Sequence, residues 1–371
     1  MSRIGFAIAC AALLLAPLPS RATGPDHHDH QHHHAGEGAS GHDHSRPDAF
    51  APIGVMGDHV HEKGGLMFAY RFSKMEMRHN LDGTSSLSTN DVLSDVPNPG
   101  PPPPGSQSGF PVAPFYMGME MHMLSAMYGL FEDLTVSAML PFIRLDMDHQ
   151  TRAGTKFTTR SHGVGDFKLG TLYRFWHDPI HSFHTNFAIS FPTGSIREKD
   201  NLPNAPNGAR LPYPMQLGTG TVAILPGITY RGQVTNWSWG AQAIGTIQAG
   251  ENKNDYRVGN SYDLTAWGAR KWTDWLSTAF RADWRQWFNY SGGDPLLNPR
   301  LVPTADSERR GGRRLDLGLS FNLLAPRGWP KGLRFSAEAL APVYQSLDGP
   351  QLRSRWRVVA GIQYELNVLS R

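Results

Sequence analysis

The chain has 371 residues, of which 40% are hydrophobic, 18% charged and 11% aromatic, with 39 Gly and 28 Pro. No stretch after the first twenty-odd residues approaches the roughly 18 to 20 consecutive apolar positions that a spanning helix needs, so a polytopic helical membrane protein is excluded. The low charge and high aromatic content argue equally against a disordered chain. A β-rich protein of the cell exterior or envelope remains.

The first 22 residues read as a secretory signal: Met1-Ser2-Arg3 is positively charged, Ile4 to Leu18 is apolar, and Ser20-Arg21-Ala22 has the small-x-small cleavage pattern. Without them the chain carries 33 basic against 32 acidic groups. The basic isoelectric point is therefore no argument for nucleic acid. Cys10, the single cysteine, lies in the signal's apolar run, so the mature chain is expected to hold neither a thiol nucleophile nor a disulfide.

Residues 23–55 are expected to form a disordered periplasmic tail, ahead of a barrel over 56–371. The tail carries His27, His28, His30, His32, His33, His34, His42 and His44 among Asp26, Asp29 and Asp43. Imidazole interleaved with carboxylate suits copper(II) or zinc, and the bland alternative is a polar leader with no selected role. Nothing in the sequence requires a cofactor.

From about residue 62 the pattern becomes period two. In Arg314 to Leu323, Leu315, Leu317, Leu319, Phe321 and Leu323 share one face and Arg314, Asp316, Gly318, Ser320 and Asn322 the other, which is a strand wet on one side and apolar on the other. Similar segments fall near 62–76, 116–129, 133–147, 164–176, 181–193, 220–232, 236–249, 260–272, 276–290, 312–325, 331–345 and 354–367. Their connections alternate between long and short. About twelve antiparallel strands with short turns at one end and long loops at the other predict an all-β, transmembrane β-barrel of the Gram-negative outer membrane, in contact with lipid and delivered by the barrel-assembly machinery. Trp237, Trp239, Trp272 and Trp275 at the short-turn end and Trp287, Phe288 and Tyr290 at the other are placed as interfacial girdles.

Two clusters carry candidate chemistry. Met75, Met77, Met117, Met119, Met121, Met123 and Met147, with His79, His122 and His149, gather near the long-loop ends of the first three strands, and soft thioethers select copper(I). Glu120 and His122 on the opposite face point Met117 to Met123 toward lipid as apolar filler, whereas Met75 and Met77 share a face with Arg71 and point inward. The second cluster is the wet face, with Lys168, Arg174, Arg231, Arg281, Asp283, Arg285, Arg314, Asp316, Arg334, Glu338, Arg355 and Arg357 expected in the lumen. There they pair across strands or attract anions.

Three segments, GVMGDHVHEKGGLMFAYRFSKMEM, PTADSERRGGRRLDLGLSFNL and APVYQSLDGPQLRSRWRVVAGIQYEL, resemble bacterial outer-membrane barrels of the meta-pathway phenol degradation family, from about residue 51 to the end. The resemblance implies an outer-membrane transporter and supplies no active-site residues. An enzyme is disfavoured, because His181-Ser182 and Ser161-His162 lack the spacing of the twelve-stranded outer-membrane phospholipases. The expected function is a channel or transporter for small molecules, hydrophobic solutes among them. A metal-binding outer-membrane protein and a structural or adhesive barrel are the alternatives.

Overall fold

A computed structural model describes residues 45–99, 108–203, 205–325 and 332–368. The signal segment, Cys10 and the eight tail histidines lie outside them.

Eleven strand elements close a ring in chain order: β1 (Gly65–Gly83), β2 (Val112–Phe131), β3 (Leu134–Thr151), β4 (Phe167–His177), β5 (His181–Phe191), β6 (Val222–Gln233), β7 (Trp237–Ala249), β8 (Ser261–Lys271), β9 (Leu276–Trp287), β10 (Gly312–Leu324) and β11 (Leu333–Asn367). Each pairs antiparallel with its neighbours, and β11 pairs with β1 to seal the ring. An all-antiparallel ring needs an even number of passes. The parity is restored by β11, which runs along β10 through Arg334 to Leu347 and along β1 through Gln351 to Asn367, doubling back at Asp348-Gly349-Pro350. The wall is thus crossed twelve times, as the alternation predicts.

Two short strands pair outside the ring, Ser85–Leu87 on β1 and Lys156–Val164 on the upper part of β3. The second occupies half of the stretch left between the expected strands 133–147 and 164–176. Its alternation is weak because, beyond the membrane, neither face needs to be apolar.

Period-two patterning decides which way each side chain points. Leu319, Leu264, Phe187, Phe280 and Leu124 are exposed on the outer face, whereas Ser320, Thr265, Asn186, Arg281 and Ser125 next to them are buried inside. Outward apolar and inward polar is the arrangement of a barrel in lipid. Trp237, Trp272 and Trp275 stand exposed by the short turns, as a girdle does, and Trp239 is half-buried with its Nε1–H donating to Tyr230 Oη at 2.9 Å.

At the other end, of Trp287, Phe288 and Tyr290, Phe288 alone stands exposed as a girdle residue. Trp287 continues the inward row of β9 and donates to the Arg310 carbonyl, and Tyr290 packs with Tyr213 and Tyr256 among the loops. The strand ends at Trp287, so residues beyond it follow the loop and no longer the outer face.

Leu319 is 69% exposed on this outer face. Leu319→Arg should therefore destabilise the barrel by about 2–4 kcal/mol, the cost of a cation on the lipid side near the midplane. Urea unfolding in lipid vesicles measures it, and a cost below about 1 kcal/mol would reassign the outer face.

Candidate functional site: a plugged lumen

The interior is entered by the protein's own chain. Residues 45–64 rise from the short-turn end to the middle of the lumen and return to begin β1, so the first eleven described residues are not part of an unstructured tail and the barrel wall begins at Gly65 instead of 56. The expectation of a tail through residue 55 rested on absent periodicity. A segment held by its carbonyls needs no periodicity.

Those carbonyls are met one by one. Arg334 donates to the carbonyls of Arg46 (3.1 Å) and Pro47 (3.0 Å), and Ser277 to that of Pro47 (2.8 Å). Ser238 donates to the Asp48 carbonyl at 2.6 Å and Arg231 to the Ala49 carbonyl. At the top of the rise, Glu338 accepts from Gly54 N–H at 2.9 Å while Gln242 donates to Met56 and Asn186 to Gly57. On the way down, His61 N–H donates to Thr135 and its Nδ1 lies 2.9 Å from Glu365. The plug is braced internally by Asp58, which accepts from Ala51 N–H and lies 2.8 Å from His59 Nδ1. Phe50 and Val60 bury against Met67, Met127 and Leu172, and Ala51 and Val55 against Trp267.

This accounts for a third of the expected lumen row. Arg231, Arg281, Arg334 and Glu338 do point inward and hold the plug, with Arg281 bridging Glu338 at 3.3 Å and Asp283 at 2.8 Å. Arg174 faces in at the short-turn end and pairs with Asp133 at 2.7 Å. Above the plug, Arg357 meets Asp283 at 2.8 Å, Arg314 meets Asp316 at 3.0 Å, and Arg285 meets Asp263 at 3.5 Å. Lys168 is half-buried on the inward face of β4, directly paired with Met139.

Arg355 is the exception. It sits in a bulge where Glu76 pairs with Trp356 and Met77 with Ser354, and this slip carries it out of the inward row to an exposed position.

The methionines of β2 correct the expectation of a lipid-facing stripe. On β2 the inward positions are odd: Ser125 and Met127 are buried inside and Leu124 is exposed outside, so Met117, Met119, Met121 and Met123 face the lumen with Met75 and Met77 opposite them on β1. Glu120 and His122 suggested the reverse because charge on the outer face reads as lumen. They lie instead above the apolar belt, where Glu120 pairs with Lys74 at 2.8 Å and His122 with Tyr70 Oη at 2.7 Å.

Met117 and Met147 are buried beneath Leu211, Met215 and Leu217 of the loop after β5, which closes over the top of this wall. Met119, Met121, Met123 and Met139 are only half-buried on the inward face. His79 is exposed at the rim with φ +61°, His122 points outward, and His149 is buried against Phe157, so the three histidines do not converge on one methionine site. Among the described residues no cluster of three His, Cys, Asp or Glu could hold a metal.

Sequence reading missed Asp58, His59 and His61, which lie in one of the quoted family segments but outside any strand, and Asp263, which stands on the inward row of β8 with Thr265 and Trp267.

Burial lowers the affinity of His59 for a proton below that of a free imidazole, and the plug therefore holds it neutral. A group whose folded value is depressed stabilises the seated state fully above its free value, near 6.5, and that contribution is lost as pH falls below it. Conductance across a bilayer should rise as pH is lowered from 7.5 toward 5 (about one imidazole's titration range), and His59→Phe should flatten the response. A His59→Phe profile identical to wild type would remove His59 from plug seating.

No curated protein matches the chain in sequence. Among solved structures, an outer membrane channel from Pseudomonas putida F1 superposes with a TM-score of 0.57 at 10% identity, over 84% of this chain and 99% of that one. The translocator domain of the autotransporter NalP from Neisseria meningitidis gives 0.44 at 9% identity, over 82% of this chain and 90% of that one. The P. putida toluene transporter TodX gives 0.39 at 10% identity, over 83% and 91%. The first likeness shows the fold, that of a closed outer-membrane barrel. Over residues 118–295 the chain matches the family described as "Putative MetA-pathway of phenol degradation", the family its sequence resembles, although the three quoted segments lie on either side of the matched stretch.

Proposed function

We propose that the protein is a passive outer-membrane channel for small molecules, hydrophobic solutes among them, narrowed from the short-turn side by residues 45–64. The observation that carries this reading is the inward wall between plug and loops. There Arg285, on an inward position of a closed barrel, has 47% of its side chain exposed, and Met119, Met121 and Met123, on inward positions of β2, are only half-buried. Side chains that face inward and remain solvated require water inside the barrel. A lumen packed shut would bury them, as the plug buries Arg281 and Glu338.

The methionine wall favours apolar solutes, since a flexible thioether chain adapts to irregular apolar surfaces and makes favourable contacts with aromatic rings. A passive path also requires that binding be weak enough to release. Purified protein in planar bilayers should show discrete openings. Gly54 sits against the charged ends of Glu338 and Arg281, which a side chain would push off the plug, so Gly54→Val should loosen the top of the plug and raise conductance severalfold. Absence of openings in both proteins would end the channel reading.

The placement of Met75, Met77, Met117, Met119, Met121 and Met123 on one lumen face supports a second reading, in which copper(I) binds or passes along thioethers while the tail histidines collect copper(II) or zinc. Copper(I) titration of the detergent-held protein tests it: Met75→Leu with Met119→Leu and Met121→Leu should abolish a saturable site, and unchanged binding would discard it.

A further inference from the structure

Three loops meet at the long-loop end of the barrel. The loop after β5 carries a short hairpin, Lys199–Leu202 paired with Ala205–Arg210, and beside it lie the turn at Asn252 to Tyr256 after β7 and the segment from Asp294 after β9. Asn254 joins all three: its buried Nδ2 donates to the Ile196 carbonyl at 2.9 Å and to Asp294 at 3.1 Å. Arg210 completes the joint, with Nη1 donating to the same carbonyl at 2.7 Å and lying 3.3 Å from Asp294, both side chains being buried. The junction is therefore fixed by buried polar groups.

At this joint opens a cleft of about 440 Å³, within the range of roughly 300–1,000 Å³ usual for small-ligand sites. Four cations line it, Arg197, Lys199, Arg210 and Lys253, against two carboxylates, Asp255 and Asp294. Arg210 answers Asp294, which leaves three cations to one acid. Arg197, Lys199 and Lys253 are exposed, and among the described residues none of them has a carboxylate within ion-pair distance. Lys199 is also the direct cross-strand partner of Arg210, so two like charges project from one face of the hairpin. Such a pair costs stability unless an anion answers it.

The surplus of two positive charges matches a phosphoryl dianion, which Arg and Lys together hold by charge-assisted hydrogen bonds. The cleft has room for more than that group. Asp255 is set in it by its own backbone, whose N–H donates to the Asn252 carbonyl at 3.1 Å and whose carbonyl accepts from Gly293 N–H at 3.0 Å. Its carboxylate, an acceptor only, has no partner among the described residues, and Pro295 with the exposed Leu296 adds apolar surface nearby. A free acceptor beside an apolar patch suits a sugar ring, whose hydroxyls donate and whose C–H face is apolar.

We propose that this cleft binds a phosphorylated saccharide, with the phosphoryl group on Arg197, Lys199 and Lys253 and a hydroxyl on Asp255. The inference goes beyond the channel reading and does not depend on it, because the loops form the cleft whether or not the barrel conducts. A neutral sugar leaves the cations unanswered, and a bare phosphate ester leaves Asp255 without a donor. Soluble sugar phosphates and the phosphorylated sugars of lipopolysaccharide share this chemistry.

Calorimetric titration of full-length, detergent-held protein reads the binding directly. Glucose 6-phosphate should bind saturably and about tenfold more tightly than methyl phosphate, and glucose should give no saturable heat. Lys199→Met with Lys253→Met should weaken glucose 6-phosphate about tenfold or more, the loss expected when charge-assisted contacts are removed, whereas Lys199→Arg with Lys253→Arg should retain it. Asp255→Ala should bring glucose 6-phosphate and methyl phosphate to equal affinity.

Intact and dephosphorylated lipopolysaccharide, titrated in the same way, separate the two sources. A heat that requires both the phosphates and the two lysines assigns the cleft to lipid-borne sugar. Lysine-dependent binding of glucose 6-phosphate, with lipopolysaccharide indifferent to the substitutions, assigns it to the soluble ester. The proposal is overturned by glucose binding as tightly as glucose 6-phosphate, by methyl phosphate equalling glucose 6-phosphate in the wild type, or by phosphorylated probes, free and lipid-borne, that bind the double methionine variant as well as the wild type or bind neither. A wild type that never conducts overturns the channel reading alone.

Discussion

Every backbone N–H and C=O at membrane depth must find a partner within the protein, because hydrocarbon offers none. The ring answers this for the wall, and its closure through both arms of β11 leaves no edge facing lipid. The same demand governs the interior. A segment without secondary structure, residues 45–64, lies inside the barrel only because Arg334, Ser277, Ser238, Arg231, Gln242 and Asn186 reach its carbonyls from six positions around the wall. The polar interior of the short-turn half is thus built around a piece of its own chain, and it explains why so many serines, asparagines and glutamines stand buried there.

The two halves of the lumen divide their work accordingly. Below, the polar groups of the wall are engaged with the plug or with one another, as Arg281 with Glu338 and Asp283 illustrates. Above, the wall changes character around its circumference, with thioethers on β1 to β3 and arginine–carboxylate pairs on β9 to β11. A surface divided in this way can wet one side of a solute and hold the other, which a uniformly polar pore cannot. The loop after β5 ties the two features together, since Met215 and Leu217 cover the methionines and Asp166 pins the loop's return beside Lys168.

Charge on an outer strand face misled sequence reading at β2, and the cause is general to long barrel strands. β1 and β3 run 19 and 18 residues, well beyond what a bilayer core of roughly 30 Å requires of a tilted strand, so their upper parts are outside the membrane. There the outer face carries Lys74, Glu120, Arg144 and Asp146 in paired rows and no longer advertises lipid. Inside and outside had to be fixed lower down the strand, where Leu124 is exposed and Ser125 buried.

Alternation along each strand and the long-short rhythm of the loops determined by themselves that this is a closed antiparallel barrel of twelve passes, since burial of alternate positions is a local property that survives any packing. They also placed Arg231, Arg281, Asp283, Arg314, Asp316, Arg334, Glu338 and Arg357 inside. Only the tertiary structure decided that residues 45–64 occupy the lumen, because their anchoring carbonyls are the same in every sequence. It alone set the bulge that expels Arg355, because a slip of one residue depends on how Glu76 and Met77 meet Trp356 and Ser354 across the seam.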